Sequence, residues 1–192
     1  MSYFREAGIF LVQFVFGLYI LAVLLRFLLQ LVRADFYNPI SQFLVKLTNP
    51  PLRPLRRIIP GLWGIDIASV VLLLALTCLQ WLLIFILGYQ IYPKAAGLIV
   101  YSLADLLKLT IYVYLGAMFI RIIMSWINPY AYQNPAMNLV VRLTEPLMRP
   151  ARRLLPAAGG IDFSPILVFL MLGLAQILLL RPLLDFGQGL MR

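Results

Sequence analysis

From Ile67 to Tyr92 the chain carries no charged side chain. Three further stretches are nearly as apolar. They are Ala7 to Val32, with Arg26 near its end; Leu106 to Ile127, with Lys108 and Arg121 near opposite ends; and Phe163 to Leu180, closed by Arg181 and Pro182. A helix needs roughly 20 apolar residues to cross the hydrocarbon of a bilayer, and only helices or closed barrels satisfy their own backbone there. Composition agrees, since 63% of the 192 residues are hydrophobic and 12% charged, with a mean hydropathy of +0.95. One soluble core cannot hide this much apolar surface, because a domain of about 150 residues buries only about 70% of its extended-chain surface. The expected fold is an all-α membrane protein with four transmembrane helices. A soluble enzyme, a disordered tail and a disulfide-stapled module are excluded. Ala7 to Leu25 is longer than a signal h-region of about 7–15 residues, so the first stretch is expected to persist as a membrane helix.

The chemical inventory is thin. There is no histidine, the side chain most often used for acid–base work and metal ligation near neutral pH. The single cysteine, Cys78, lies inside an apolar run and cannot form an internal disulfide or anchor a thiolate cluster alone. Seven acidic residues spread along the chain make no carboxylate cage. No enzyme activity, no cofactor and no metal site are expected.

The chain repeats itself. Shifted by 96 residues, Asn38-Pro39 falls on Asn134-Pro135, Thr48 on Thr144, Pro50 on Pro146 and Arg53-Pro54 on Arg149-Pro150. Arg56-Arg57 falls on Arg152-Arg153, Pro60 on Pro156 and Gly64-Ile65-Asp66 on Gly160-Ile161-Asp162. With Val45/Val141 and Leu47/Leu143, 14 of 29 aligned positions are identical without a gap. Gln80 meets Gln176, and Arg26 meets Arg121 after one inserted residue. Each unit reads helix, long basic loop, helix. The first repeat is 1–96 with loop 33–66, and the second is 97–192 with loop 128–162. A unit with two crossings returns to its starting side, so the repeats form two parallel helical hairpins with both loops on one face. An inverted repeat, the commonest alternating-access design, needs an odd number of crossings per unit.

The loops hold nine of the sixteen basic residues: Arg33, Lys46, Arg53, Arg56, Arg57, Arg142, Arg149, Arg152 and Arg153. Against Asp35, Asp66, Glu145 and Asp162 this leaves a net +5 on one face, out of +9 for the chain. By the positive-inside rule the loops should be cytoplasmic and both termini periplasmic, in a cell inner membrane.

Each loop has its own pattern. Asn38 and Asn134 suit helix N-caps, with Pro39 and Pro135 in the first turn. Ile40, Phe43, Leu44 and Leu47 then mark one face of a short helix, as do Ala136, Leu139, Val140 and Leu143. Pro50 and Pro146 are expected to end that element. A second short piece carries Arg53, Arg56, Arg57 and Arg149, Arg152, Arg153 before Pro60 and Pro156 stop it. The first piece should lie at the membrane interface or against the helix bundle, and the arginines of the second should reach headgroup phosphate with forked bonds. Each cation near an anionic leaflet contributes about 1 kcal/mol. Gly64 and Gly160 permit a sharp turn. Asp66 and Asp162 can then cap the following helix, or pair with a loop arginine and lock loop to bundle; the two are compatible. Arg26 and Arg121 lie about two turns from the loop end of their helices. They either snorkel to headgroups or face inward onto a lipid phosphate, an ion or a partner carboxylate. Direct nucleic-acid binding is not expected, because no stacking platform accompanies the basic residues.

The run Arg121-Ile122-Ile123-Met124-Ser125-Trp126-Ile127-Asn128-Pro129, followed by Leu143-Thr144-Glu145-Pro146, Arg149-Pro150-Ala151-Arg152-Arg153, Pro156 and Gly159-Gly160-Ile161-Asp162-Phe163-Ser164-Pro165, resembles the signature of the YggT family. Copy one departs from it, with Gln30-Leu31 for the Ser-Trp pair, Trp63-Gly64 for Gly-Gly and Ala68-Ser69 for Ser-Pro. Copy two is therefore the better candidate for a family site. The resemblance implies no enzyme activity; such proteins are linked to osmotic or ion stress, cytochrome maturation, and division or nucleoid organisation. The expected function is a membrane scaffold or assembly factor whose basic loops engage anionic lipids, a protein partner or further copies of the chain. The alternative is a small ion or solute channel or transporter component acting as an oligomer, with Arg26 and Arg121 as its charged lining.

Overall fold

The computed structural model describes residues 3–62, 64–90, 92–127, 134–155 and 162–191. These form helices α1 (Tyr3–Leu31), α2 (Pro39–Ile58), α3 (Ile67–Tyr89), α4 (Ala95–Ile127), α5 (Pro135–Leu154), α6 (Ser164–Ala175) and α7 (Arg181–Met191). A π-helical turn, Gln176–Leu180, joins α6 to α7, so Ser164–Met191 runs on as one rod. Four rods, α1, α3, α4 and α6–α7, are long and apolar enough to cross a membrane. Their outer faces expose Phe119, Leu170 and Leu178, each more than half accessible. The chain is a multi-pass membrane protein. The order α1–α2–α3 recurs as α4–α5–α6, and Asn38 Nδ2 donates to the Pro135 carbonyl at 2.7 Å. That bond joins the start of α2 to the start of α5, so both amphipathic helices lie at the same end of the bundle.

Two elements outrun their apolar stretches. α4 begins at Ala95, well before Leu106, and the last rod continues through Arg181-Pro182 to Met191. The proline does not end the rod because a π turn directly precedes it. There the Arg181 N–H donates to the Gln176 carbonyl, five residues back, and the wider turn accommodates the ring that would otherwise strike the preceding turn. The added lengths pack on each other. A Cβ on Gly97 would lie 2.4 Å from the Met191 nitrogen, and one on Gly187 would lie 2.9 Å from Tyr101 Cα. Only glycine permits that approach.

The loop elements also differ from expectation. Pro50 and Pro146 end nothing: α2 and α5 are each single 20-residue helices with prolines inside. An internal proline frees the carbonyl four residues earlier. Pro51 frees that of Leu47, and the Tyr19 hydroxyl of α1 donates to it at 3.4 Å. The bundle thus supplies a replacement donor for that carbonyl. α2 stops at Ile58, just before Pro60, and Gly64 turns the chain with φ +82°. Pro156 and the glycine at 160 lie outside the described residues.

Candidate functional site

The face that α2 buries shares only Leu44 with its apolar stripe. Ser41, Leu44, Thr48 and Leu52 face inward, whereas Ile40, Phe43 and Leu47 remain exposed. In α5, Leu139, Leu143, Thr144 and Met148 are buried. The rotation has a cause, because a threonine in each helix meets a membrane-helix arginine. Arg26 Nη1 donates to Thr48 Oγ1 at 2.7 Å and to Asn49 Oδ1 at 2.9 Å. Arg121 Nη1 donates to Thr144 Oγ1 at 2.7 Å, and its Nη2 meets Glu145 Oε2 at 3.0 Å. Each threonine hydroxyl donates in turn to a carbonyl of its own helix, Leu44 or Val140. Arg26 is 4% exposed and Arg121 7%. Neither snorkels; each clamps an amphipathic helix to the bundle. A single sequence could have hinted at this, since arginine and threonine both recur across the repeat.

A second tie lies one turn or two farther along. Arg56 pairs with Asp66, and Arg152 Nε meets Asp162 Oδ2 at 3.0 Å. Asp66 also accepts from the Ser69 backbone N–H at 3.4 Å and from its hydroxyl at 2.5 Å, so capping and pairing coincide. Asp162 stands one residue before the N-cap position, Phe163, and accepts from the Ser164 N–H at 3.0 Å. Asn38 and Asn134 accept from the Ile40 and Ala136 N–H groups, both at 2.9 Å. Burial raises the Asp66 carboxyl's pKa, but hydrogen bonds from Arg56 and Ser69 outweigh it and hold the group below the ordinary carboxylate range. Asp162 is lowered likewise, slight burial being outweighed by bonds from Ser164 and Arg152.

The six loop arginines therefore divide. Arg56 and Arg152 pair with the carboxylates that follow them, as the sequence allowed, while their side chains stay 36% and 43% exposed. Arg53, Arg57 and Arg153 are exposed. Arg149 is exposed and meets Glu145 at 3.4 Å along its own helix.

The repeats differ at one level below the clamp. In copy one, Arg56 reaches Gln30 Oε1 at 3.5 Å, and the Asp66 side chain is 6% exposed. In copy two, Ser125 stands where Gln30 stands, and the Asp162 side chain is 37% exposed. A cavity of about 540 Å³ opens there, with Arg121, Ser125 and Arg152 on its polar side.

A family model, CCB3/YggT, matches residues 6–87 and again 100–183. The chain belongs to the CCB3/YggT family. An uncharacterized protein of Pseudomonas aeruginosa is 47% identical over 180 residues, covering 93% of this chain and 91% of that one. The Escherichia coli K12 protein titled uncharacterized protein YggT is 38% identical over 175 residues, covering 88% and 89%. An uncharacterized protein of Vibrio alginolyticus is 40% identical, covering 88% and 91%. No solved structure matches the chain. The two matched segments of this CCB3/YggT protein each contain one arginine–threonine clamp.

Proposed function

We propose that this chain is a non-enzymatic scaffold or assembly factor of the inner membrane, whose two clamped helices hold a rigid basic face against anionic lipids or a partner protein. The carrying observation is the pair of clamps. A buried arginine–threonine bond in each repeat fixes how α2 and α5 lie, and so fixes where Arg53, Arg57, Arg149 and Arg153 project. Free amphipathic helices would bind lipid equally well; fixing them in a frame adds a defined geometry. Positive-inside reasoning puts this face in the cytoplasm.

The test is neutralisation of those four arginines to glutamine, with flotation on vesicles containing or lacking phosphatidylglycerol and co-purification from native membrane. The expected result is correct insertion with weakened lipid retention and partner recovery. Unchanged retention and recovery refute the reading. A channel role has one observation in its favour, a cleft of about 200 Å³ whose largely apolar lining includes Thr77, Gln80, Asp105 and Lys108. Arg26 and Arg121 are held under the amphipathic helices instead of lining it. Ion flux through reconstituted protein that disappears in Asp105→Asn would favour that role.

A further inference from the structure

We propose that the second repeat holds one phospholipid by its headgroup phosphate, in the cavity between α4, α5 and α6, and that Gln30 keeps the first repeat from holding one in the same way. The proposal rests on the lipid-facing reading above and gives it a defined seat. A guanidinium carries five N–H groups. Arg121 commits Nη1 to Thr144 and Nη2 to Glu145 and still borders the cavity, so donors remain for a phosphate oxygen. Arg152 borders it too, with its side chain 43% exposed. The cluster of Arg121, Arg149 and Arg152 against Glu145 and Asp162 keeps one positive charge in excess. Forked guanidinium bonds to phosphate are strong and directional.

The other wall selects a lipid over a free anion. Ile122, Phe163 and Ile166 line it, and Phe163 and Ile166 are exposed at 42% and 64% on the membrane-facing side. Polar and apolar walls meet in one cavity at the level of an interfacial helix, which matches a headgroup joined to acyl chains. Trp126, 83% exposed, stands at the rim, and indoles favour that depth. In copy one Gln30 stands at the place of Ser125, and its longer amide accepts from Arg56 at 3.5 Å.

The experiment is native mass spectrometry of the full chain, released from detergent and titrated with phosphatidylglycerol, with diacylglycerol, and with inorganic phosphate. Wild type should retain one tightly held phosphatidylglycerol and neither of the other two. Ser125→Gln should weaken that binding at least tenfold without loss of thermal stability. Gln30→Ser should create a second retained lipid, and it decides the matter should Ser125→Gln not fold. Equal retention of diacylglycerol, equal binding of inorganic phosphate, or unchanged lipid counts in a folded Ser125→Gln or in Gln30→Ser overturns the proposal. Neutralising Arg53, Arg57 and Arg153 separates the readings. If that variant loses vesicle flotation while Ser125→Gln leaves lipid binding untouched, the basic face stands and the seat falls.

Discussion

Thr48→Val isolates the clamp. Valine keeps the shape of threonine, and the site is fully buried, so packing is preserved while the acceptor for Arg26 is lost. The lost bond is 2.7 Å long and comes from a cation, and such bonds contribute about 1.5–3 kcal/mol. Asn49 stays in reach at 2.9 Å, which places the loss toward the lower end. Among the described residues no carboxylate bonds Arg26 directly in copy one. Undocking of α2 should become roughly 10- to 30-fold more frequent, since about 1.4 kcal/mol is tenfold. Amide hydrogen exchange in lipid nanodiscs reads this directly: α2 should exchange faster by that factor while the centres of α3 and α4 stay protected. Thr144→Val should cost less, because Glu145 continues to neutralise Arg121. The double variant Arg26→Met with Thr48→Val should be no worse than either single change, since it removes the charge left without an acceptor. Strictly additive effects, or α2 protection within twofold of wild type in Thr48→Val, would refute the clamp.

Acid should release the amphipathic helices. Asp66 and Asp162 are held below the ordinary carboxylate value of about 4, so their contribution is full above that pH and is lost as pH falls through their folded values. Exchange of α2 and α5 should rise below about pH 4 in wild type and lose this pH step in Asp66→Asn with Asp162→Asn. At the other end of the bundle, Gly187→Ala forces a Cβ against the Tyr101 backbone and should cost about 1–3 kcal/mol by overpacking. Gly173→Ala, with nothing within 4 Å of the added carbon, should cost none of this, and thermal unfolding in detergent compares the two. For orientation, in a chain with Cys78 replaced, a cysteine at Arg153 should resist an impermeant thiol reagent in whole cells and one at Lys94 should react; the reverse pattern inverts the topology.

Much of the architecture follows from patterns that local physics controls. The uncharged run after Asp66 can only be a buried or membrane helix, and the 96-residue repeat puts both basic segments on one face. Asn38 and Asn134 cap their helices because the cap needs only the next two residues. What escapes the sequence depends on distant partners. Pro51 leaves the Leu47 carbonyl without its helical donor, and the Tyr19 hydroxyl that meets it is 28 positions away. Apolar periodicity groups Phe43 and Leu47 on one face without saying whether it meets lipid or the bundle; both stay exposed, and the inward face goes to Thr48 because a buried guanidinium demands an acceptor. The early start of α4 is invisible for the same reason: it packs on the last rod through close approaches at Gly97 and Gly187.

The two repeats share their clamps and diverge in what surrounds them, and the divergence has a direction. Copy one answers its arginine with neutral groups, Thr48 and Asn49, buries Asp66 and brings Gln30 within reach of Arg56. Copy two answers with Thr144 and a carboxylate, Glu145, which also meets Arg149 and Arg152. A carboxylate between three arginines holds them close without cancelling them, and it leaves a cationic cluster beside an open cavity. With serine at both positions, neither copy would carry the glutamine that meets Arg56. Had both kept the glutamine, the buried arginines would serve packing alone. One closed copy and one open copy give a frame with a single seat, and exchanging Gln30 and Ser125 should move the tightly held lipid from the second repeat to the first.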